Sequence, residues 1–145
     1  MSIKKSFSLI EVLIFVTILS LFLISAATVI TFSMHQNTIK VNMLKATHYN
    51  EQLLDWLRTQ KETDWSIFTR SAGNSTVCFN TEPISSFSND CSNKLDSGAF
   101  NRVAYFTTDN SSGIATQVNV KIITSWQEGG NSYSTQLSGL FTVWE

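Results

Sequence analysis

The sequence has little charge and few residues that interrupt a helix. Only 14% of its 145 residues are charged, and the formal net charge is -1. Because it contains neither a basic block nor an acidic tail, nothing in it indicates a nucleic-acid partner. Its only proline is Pro83, and no glycine precedes Gly73. Regular helix is therefore possible through most of the first half of the chain.

Residues that carry chemistry are also scarce. The two histidines, His35 and His48, both lie in the first half of the chain, and no metal-ligand cluster, glycine-rich phosphate loop or paired carboxylates stand out. We therefore predict no catalytic residue, metal or cofactor. The two cysteines, Cys78 and Cys91, are predicted to form a disulfide that closes a loop of about 14 residues and contributes about 3 kcal/mol. A pair of metal ligands is the alternative, but further ligands are lacking.

One long apolar run dominates the N-terminal part. The run from Val12 to Phe32 contains no charged residue. At 1.5 Å per residue it spans about 30 Å, the thickness of a bilayer's hydrocarbon core. It is too long for the apolar part of a cleaved secretory signal. Lys4 and Lys5 precede it and favour a cytoplasmic N-terminus. We predict a single-pass membrane protein whose C-terminal part is exported.

Sequence compatible with a helix continues beyond this run. Up to about Met34, apolar residues occupy all sides of the predicted helix. Beyond it, they are confined to one stripe with i, i+3, i+4, i+7 spacing. We predict one helix over Phe7–Lys61, whose amphipathic part, residues 35–61, covers a globular domain. The predicted stripe comprises Ile39, Met43, Ala46, Leu53, Leu54 and Leu57.

The C-terminal part favours strands. A region rich in serine and asparagine, residues 71–101, is predicted to be a loop held by the cysteines. Three alternating segments follow at Arg102–Thr108, Thr116–Trp126 and Ser132–Trp144, and the glycine-rich "QEGGN" between the last two suits a β-hairpin. We predict an antiparallel β-meander with one face covered by the helix stripe. The fold class is therefore α+β.

A glutamate near the start of the apolar run has no obvious place in a membrane span. Glu11 lies within "KKSFSLIEV", residues 4–12. This stretch resembles the prepilin signal of type IV pilins and pseudopilins, in which a short basic leader precedes Phe-x-Leu-Ile-Glu-Val. The resemblance implies the pilin fold, cleavage between Ser6 and Phe7 by a prepilin peptidase, and N-methylation of Phe7. Ser6 departs from the family, which nearly always has glycine there.

The resemblance divides the chain into three parts and gives Glu11 a role. The parts are a leader at 1–6, a transmembrane and filament-core helix at 7–34, and an exported domain at 35–145. Cleavage creates a positive amine on Phe7, one helical turn before Glu11. Pairing of the two, within one chain or between neighbours, would fix the axial register of assembling helices. The alternative is an interfacial glutamate on an ordinary signal anchor.

A second, weaker resemblance concerns the C-terminal part. The segment "SWQEGGNSYSTQLSGLFTVW", with Trp126 and Trp144, is similar to the ending of PilV-type minor pilins, as are "TDW" at 63–65 and "FNRVAYF" at 100–106. Packing is the expected role of both tryptophans.

Together the two resemblances imply a minor type IV pilin. Its partners would be prepilin peptidase, other pilin subunits contacted through the N-terminal helix, the inner-membrane assembly platform and, before assembly, membrane lipid. Its destination would be an extracellular pilus. The alternatives are a type II secretion pseudopilin, for which no calcium-ligand loop is visible, and a signal-anchored surface binding domain outside any filament.

Overall fold

The computed structural model describes residues 9–88, 90–109 and 115–143. The chain divides into two compact units, Met1–Lys40 and Val41–Glu145. The predicted cleavage and methylation positions, Ser6 and Phe7, lie outside the described residues, as does Trp144.

Helix α1 extends from Leu9 to Thr63 without interruption. The prediction of one long helix is confirmed, and the helix ends two residues beyond the predicted Lys61. It contains no glycine or proline, so nothing in its interior removes a hydrogen bond or favours a kink. It ends where Asp64 adopts an extended conformation, with φ -160° and ψ 107°.

A second helix, α2, follows at Trp65–Ala72, where none was predicted. The Asp64 carboxylate caps it by accepting hydrogen bonds from the backbone N–H groups of Ser66, at 2.8 Å, and Ile67, at 3.0 Å. These bonds satisfy donors that would otherwise be unpaired at a helix start. The helix buries Phe68 and Ala72. The sheet is therefore covered by two helices, whereas the sequence predicted that the long helix alone would cover it.

The sheet has four strands rather than the predicted three. Strands β1 (Thr76–Cys78), β2 (Phe100–Asp109), β3 (Gln117–Glu128) and β4 (Asn131–Thr142) form an antiparallel sheet in sequence order. Strand β1 lies inside the region predicted to be loop. It pairs there because its Val77 is buried against the core opposite Ala104. The α+β class and the meander of the last three strands are confirmed.

A two-residue turn joins β3 to β4, as the glycine pair predicts. Gly129 and Gly130 both have positive φ, 57° and 81°, and Glu128 pairs with Asn131 across them. Two consecutive residues with positive φ are typical of a type I′ turn, whose twist matches that of the strands. The turn fixes the register of the whole hairpin, including the pairing of Trp126 with Tyr133.

The core lies on one face of the sheet. Alternate residues of β3 form its inward face, since Val118, Val120, Ile122 and Trp126 are all buried. The predicted helix stripe is partly correct: Ala46, Leu53 and Leu57 are fully buried, Leu54 and Ile39 are half-buried, and Met43 is 52% exposed. The face of α1 that packs on the sheet includes the polar Asn50, which is 1% exposed.

Cys78 and Cys91 are joined in a disulfide, as predicted. The bond attaches the loop after β1 to the end of that strand, where the Cys78 N–H also donates to the Ser88 carbonyl at 3.0 Å. The covalent and hydrogen-bonded links cover the β1 end of the sheet.

Candidate functional site

The first turn of α1 carries the residue that the sequence singled out. Glu11 lies there among exposed apolar side chains. Among the described residues, its carboxylate has no hydrogen-bond or ion-pair partner. The predicted partner, the amine of Phe7, belongs to the residues that are not described. Within the described part of the chain, Glu11 is thus a carboxylate without a partner on an apolar surface.

This part of α1 presents apolar surface on all sides. Its most apolar window has a mean hydropathy of 2.7, and none of that window is buried. Large side chains are exposed around the helix, as three consecutive residues about 100° apart illustrate: Phe22 at 68%, Leu23 at 58% and Ile24 at 62%. Within the described ranges, this is the one helix long and apolar enough to span a membrane. A surface of this kind requires lipid or other apolar helices around it.

The hydroxyl groups in the same segment are satisfied within the helix. Each donates to a backbone carbonyl three or four residues earlier, at distances from 2.7 to 3.0 Å. This pattern removes free donors from an apolar surface. The residues that bond in this way are Thr17, Ser20, Ser25, Thr28 and Thr31. Glu11 is therefore the exception in a segment whose other polar side chains are paired.

The second unit has a buried arginine that the sequence did not indicate. Arg102 is 0% exposed. Its Nε donates to the Phe79 carbonyl at 2.8 Å, and Nη1 donates to the Tyr49 carbonyl at 2.8 Å and to Gln52 Oε1 at 3.1 Å. Nη2 has no partner within the described part of the chain. Burial lowers the pKa of Arg102 to about 10, because removal from water disfavours the charged form. The guanidinium connects β2 to α1.

Two further polar contacts between α1 and the rest of the second unit lie nearer the surface. Asn42 Nδ2 donates to Glu128 Oε2 at 3.0 Å, and Lys45 Nζ lies 3.0 Å from Asp96 Oδ2. The Lys45–Asp96 pair is exposed to solvent, so its contribution to stability is small. The burial of Asn50 could have been predicted from its spacing in the sequence. It lies four residues after Ala46 and three before Leu53, within the predicted apolar stripe of α1.

The surface of the second unit carries shallow depressions. One of about 300 Å³ near the β3–β4 turn is lined by Lys94, Asn101, Ser125 and Gln127, among others. In the described residues, no group of three or more His, Cys, Asp or Glu side chains is placed to hold a metal ion. The predicted site residues fall in separate units: Glu11 in the first and the disulfide in the second.

Comparisons of the chain with protein-family models, with curated proteins and with solved structures found no match. The resemblance to type IV pilins accordingly rests on the residues of the N-terminal motif and on the α+β arrangement.

Proposed function

We propose that this chain is a minor type IV pilin, a structural subunit that is inserted into a pilus-like filament. In this proposal, prepilin peptidase cuts between Ser6 and Phe7 at the cytoplasmic face, and the new amine of Phe7 is methylated. The observation that carries the proposal is Glu11, a carboxylate with no partner among the described residues. It lies at the start of the apolar segment of α1, whose hydroxyl groups are hydrogen-bonded within the helix.

The helix serves two environments in turn. Before assembly, the apolar part of α1 anchors the protein in the cytoplasmic membrane as a single span. During assembly, the membrane platform transfers it into a bundle with the helices of other subunits. Apolar contact supplies affinity in the bundle, but it is not specific for one axial position. Pairing of Glu11 with a Phe7 amine, in the same chain or a neighbour, supplies the register, because an unpaired charge in an apolar medium is costly.

The second unit would be displayed on the outside of the filament. Its disulfide suits an oxidising, extracytoplasmic compartment. Its core is built from residues of the second unit.

The first test is the mass of the N-terminal peptide from protein produced together with its own prepilin peptidase. We expect a peptide that begins at Phe7 and carries one additional methyl group. A peptide that still contains Lys4, Lys5 and Ser6 would overturn the proposal and favour a signal-anchored surface domain.

The second test concerns assembly. We expect Glu11→Ala to be cleaved normally and to disappear from filaments sheared from the cell surface, because the amine loses its partner. Glu51→Ala is the control, since Glu51 is exposed on the same helix outside the apolar segment and is expected to leave assembly unchanged. Normal incorporation of the Glu11 variant would remove the role assigned to that residue. Absence of both wild-type and variant protein from sheared filaments would favour the secretion pseudopilin.

A further inference from the structure

Strand β4 forms one edge of the sheet and is unusually open. It has 12 residues, and all of its described pairing is with β3. The register continues without a bulge from the Glu128–Asn131 pair to the Gln117–Thr142 pair. A long edge of this kind presents a row of backbone groups that can pair with another strand.

The hairpin turn determines which backbone groups face outward. After a two-residue turn, Glu128 and Asn131 form a hydrogen-bonded pair, and every second pair that follows does the same. The odd-numbered residues of β4 therefore direct their N–H and C=O groups toward β3, and the even-numbered ones direct theirs to the free edge. The side chains of these residues from 132 to 140 are exposed. The free edge of β4 is made by Ser132, Ser134, Gln136, Ser138, Leu140 and Thr142.

The sequence of β4 itself lacks the features that normally prevent strand addition. Between Asn131 and Thr142 the sequence contains no charged residue and no proline, which are common protective devices at sheet edges. The opposite edge is different: β1 has three residues, and Cys78 is both bridged to Ser88 and linked to Cys91. Within the described residues, one edge is thus bridged at Cys78, and the other has no neighbouring strand.

The inner face of β4 is also incompletely covered. Tyr133, Thr135 and Leu137 are half-buried, whereas the β3 residues with which they pair are buried. A fifth strand beside β4 would bury the remaining surface of this row. It would need apolar side chains on the helix side and small uncharged ones on the other side, next to Ser134 and Ser138.

We propose that the free edge of β4 binds an extended, uncharged segment of a different protein chain as a fifth strand of the sheet. Backbone hydrogen bonds would supply most of the affinity, and the alternation of side chains would supply specificity. This inference requires only that the protein is anchored in a membrane, and it does not depend on the filament.

Chain direction favours a different protein over a second copy. Helix α1 follows the direction of β4, because Asn50 contacts Thr135 and Leu54 lies beside Gly139. Antiparallel pairing of two β4 strands about a two-fold axis would therefore place the two Val41 ends, where the chains enter this unit, at opposite ends of the joint sheet. Two chains held in one membrane by their preceding residues enter from the same side.

The test is photo-cross-linking of the full-length protein in the cells that naturally produce it. A benzoylphenylalanine is placed at Ser134, Gln136 or Ser138 on the free edge, or at Asn119 as the control. Asn119 is exposed on β3, so it samples the outer face one strand from the edge. We expect the three edge positions to yield adducts with alternate residues of one extended segment of a single partner, and Asn119 to yield none.

A lysine introduced at the free edge tests whether a strand binds there, and a lysine introduced on β3 is its control. We expect Gln136→Lys to reduce the adduct formed from position 134 several-fold, because the incoming strand would have to approach an unpaired charge. Gln127→Lys places the same charge on the exposed face of β3 and is expected to leave the adduct unchanged. Equal thermal unfolding of the two variants would verify that both fold.

Three outcomes would each overturn the proposal: adducts with β4 of a second copy, edge adducts no stronger than those at Asn119, and no effect of Gln136→Lys on the adduct. None of these three outcomes would change the mass of the N-terminal peptide, so this proposal and the proposed function can fail separately.

Discussion

The side-chain oxygen of Asn50 on α1 accepts a 2.6 Å hydrogen bond from the Thr124 hydroxyl on β3. Both residues are buried, at 1% and 0% exposure. The Asn50 amide nitrogen also donates to the Thr135 carbonyl on β4, at 3.3 Å. One helical side chain therefore bridges two strands within the core, and it fixes where the helix lies along the sheet.

Removing one partner of this bridge leaves the other unsatisfied. We expect Asn50→Leu to lower the free energy of unfolding by about 1–3 kcal/mol, because the buried Thr124 hydroxyl loses its acceptor. The measurement is denaturant unfolding of the full-length protein in detergent. Thr124→Val is the partner variant. The double variant should lose less free energy of unfolding than the two single variants lose together. If the losses simply add, the two side chains are not energetically coupled.

Arg102 is expected to tolerate methionine better than lysine. Arg102→Lys keeps a buried charge but loses the planar geometry that reaches the Phe79 and Tyr49 carbonyls together, so we expect a loss of about 3 kcal/mol or more. Arg102→Met removes the charge as well as the bonds, and its loss should be smaller. Urea unfolding of the two variants provides the comparison. A lysine variant as stable as the methionine variant would contradict the importance assigned to the guanidinium's shape.

Gly139 allows α1 to approach β4 closely. A Cβ atom built on Gly139 would lie 2.8 Å from Leu54 Cδ1. Because this atom is the end of a flexible side chain, we expect Gly139→Ala to change stability by less than about 1 kcal/mol, whereas Gly139→Val should cost about 1–3 kcal/mol through overpacking. Adding Leu54→Ala to the valine variant removes the clash. Thermal unfolding should then show a loss smaller than the sum of the separate losses.

The cap of α2 should weaken in acid. The pKa of Asp64 is lowered, first by the Ser66 hydroxyl and then by the Ile67 N–H, because both donate to its carboxylate. A lowered pKa means that Asp64 contributes stability above its ordinary value of 3.8, and that this contribution is lost as the pH falls through the folded-state pKa.

The neutral variant Asp64→Asn isolates this effect. Thermal unfolding of wild type and variant from about pH 6 to about pH 3 should show their difference shrinking as the pH falls. A difference that stays constant over this range would exclude ionised Asp64 as the source of the stabilisation.

The parts of the fold that sequence predicts well are those with long, regular patterns. Helix α1 follows from the absence of glycine and proline, and β3 from strict alternation through Val118, Val120 and Ile122. The hairpin follows from the Gly129–Gly130 pair. In each case, local preference and burial select the same structure.

The missed elements are short. Helix α2 has only eight residues, too few for a clear period, although Asp64 before it and Gly73 after it are the usual signals of a helix start and end. Strand β1 has three residues, and the short apolar run Val77–Phe79 is flanked in sequence by polar residues typical of a loop. Pairing with β2, which is distant in sequence, decides its structure.

The buried polar groups were missed for a different reason. Hydrophobic periodicity counts asparagine and arginine as outward-facing, so it assigned neither Asn50 nor Arg102 to the core. Their burial depends on partners contributed by other parts of the chain, such as Thr124 and the Phe79 carbonyl. The sequence singled out Glu11 because a carboxylate contradicts its apolar surroundings.

The inward-turned hydroxyls of the apolar segment have a consequence for how this helix can change its surroundings. Because Thr17, Ser20, Ser25, Thr28 and Thr31 bond to their own backbone, exchanging lipid chains for detergent or for neighbouring helices breaks none of these bonds and demands no replacement for them. For these side chains, one apolar environment is as good as another. Any preference for a particular neighbour must then come from the shape of the side chains and from Glu11.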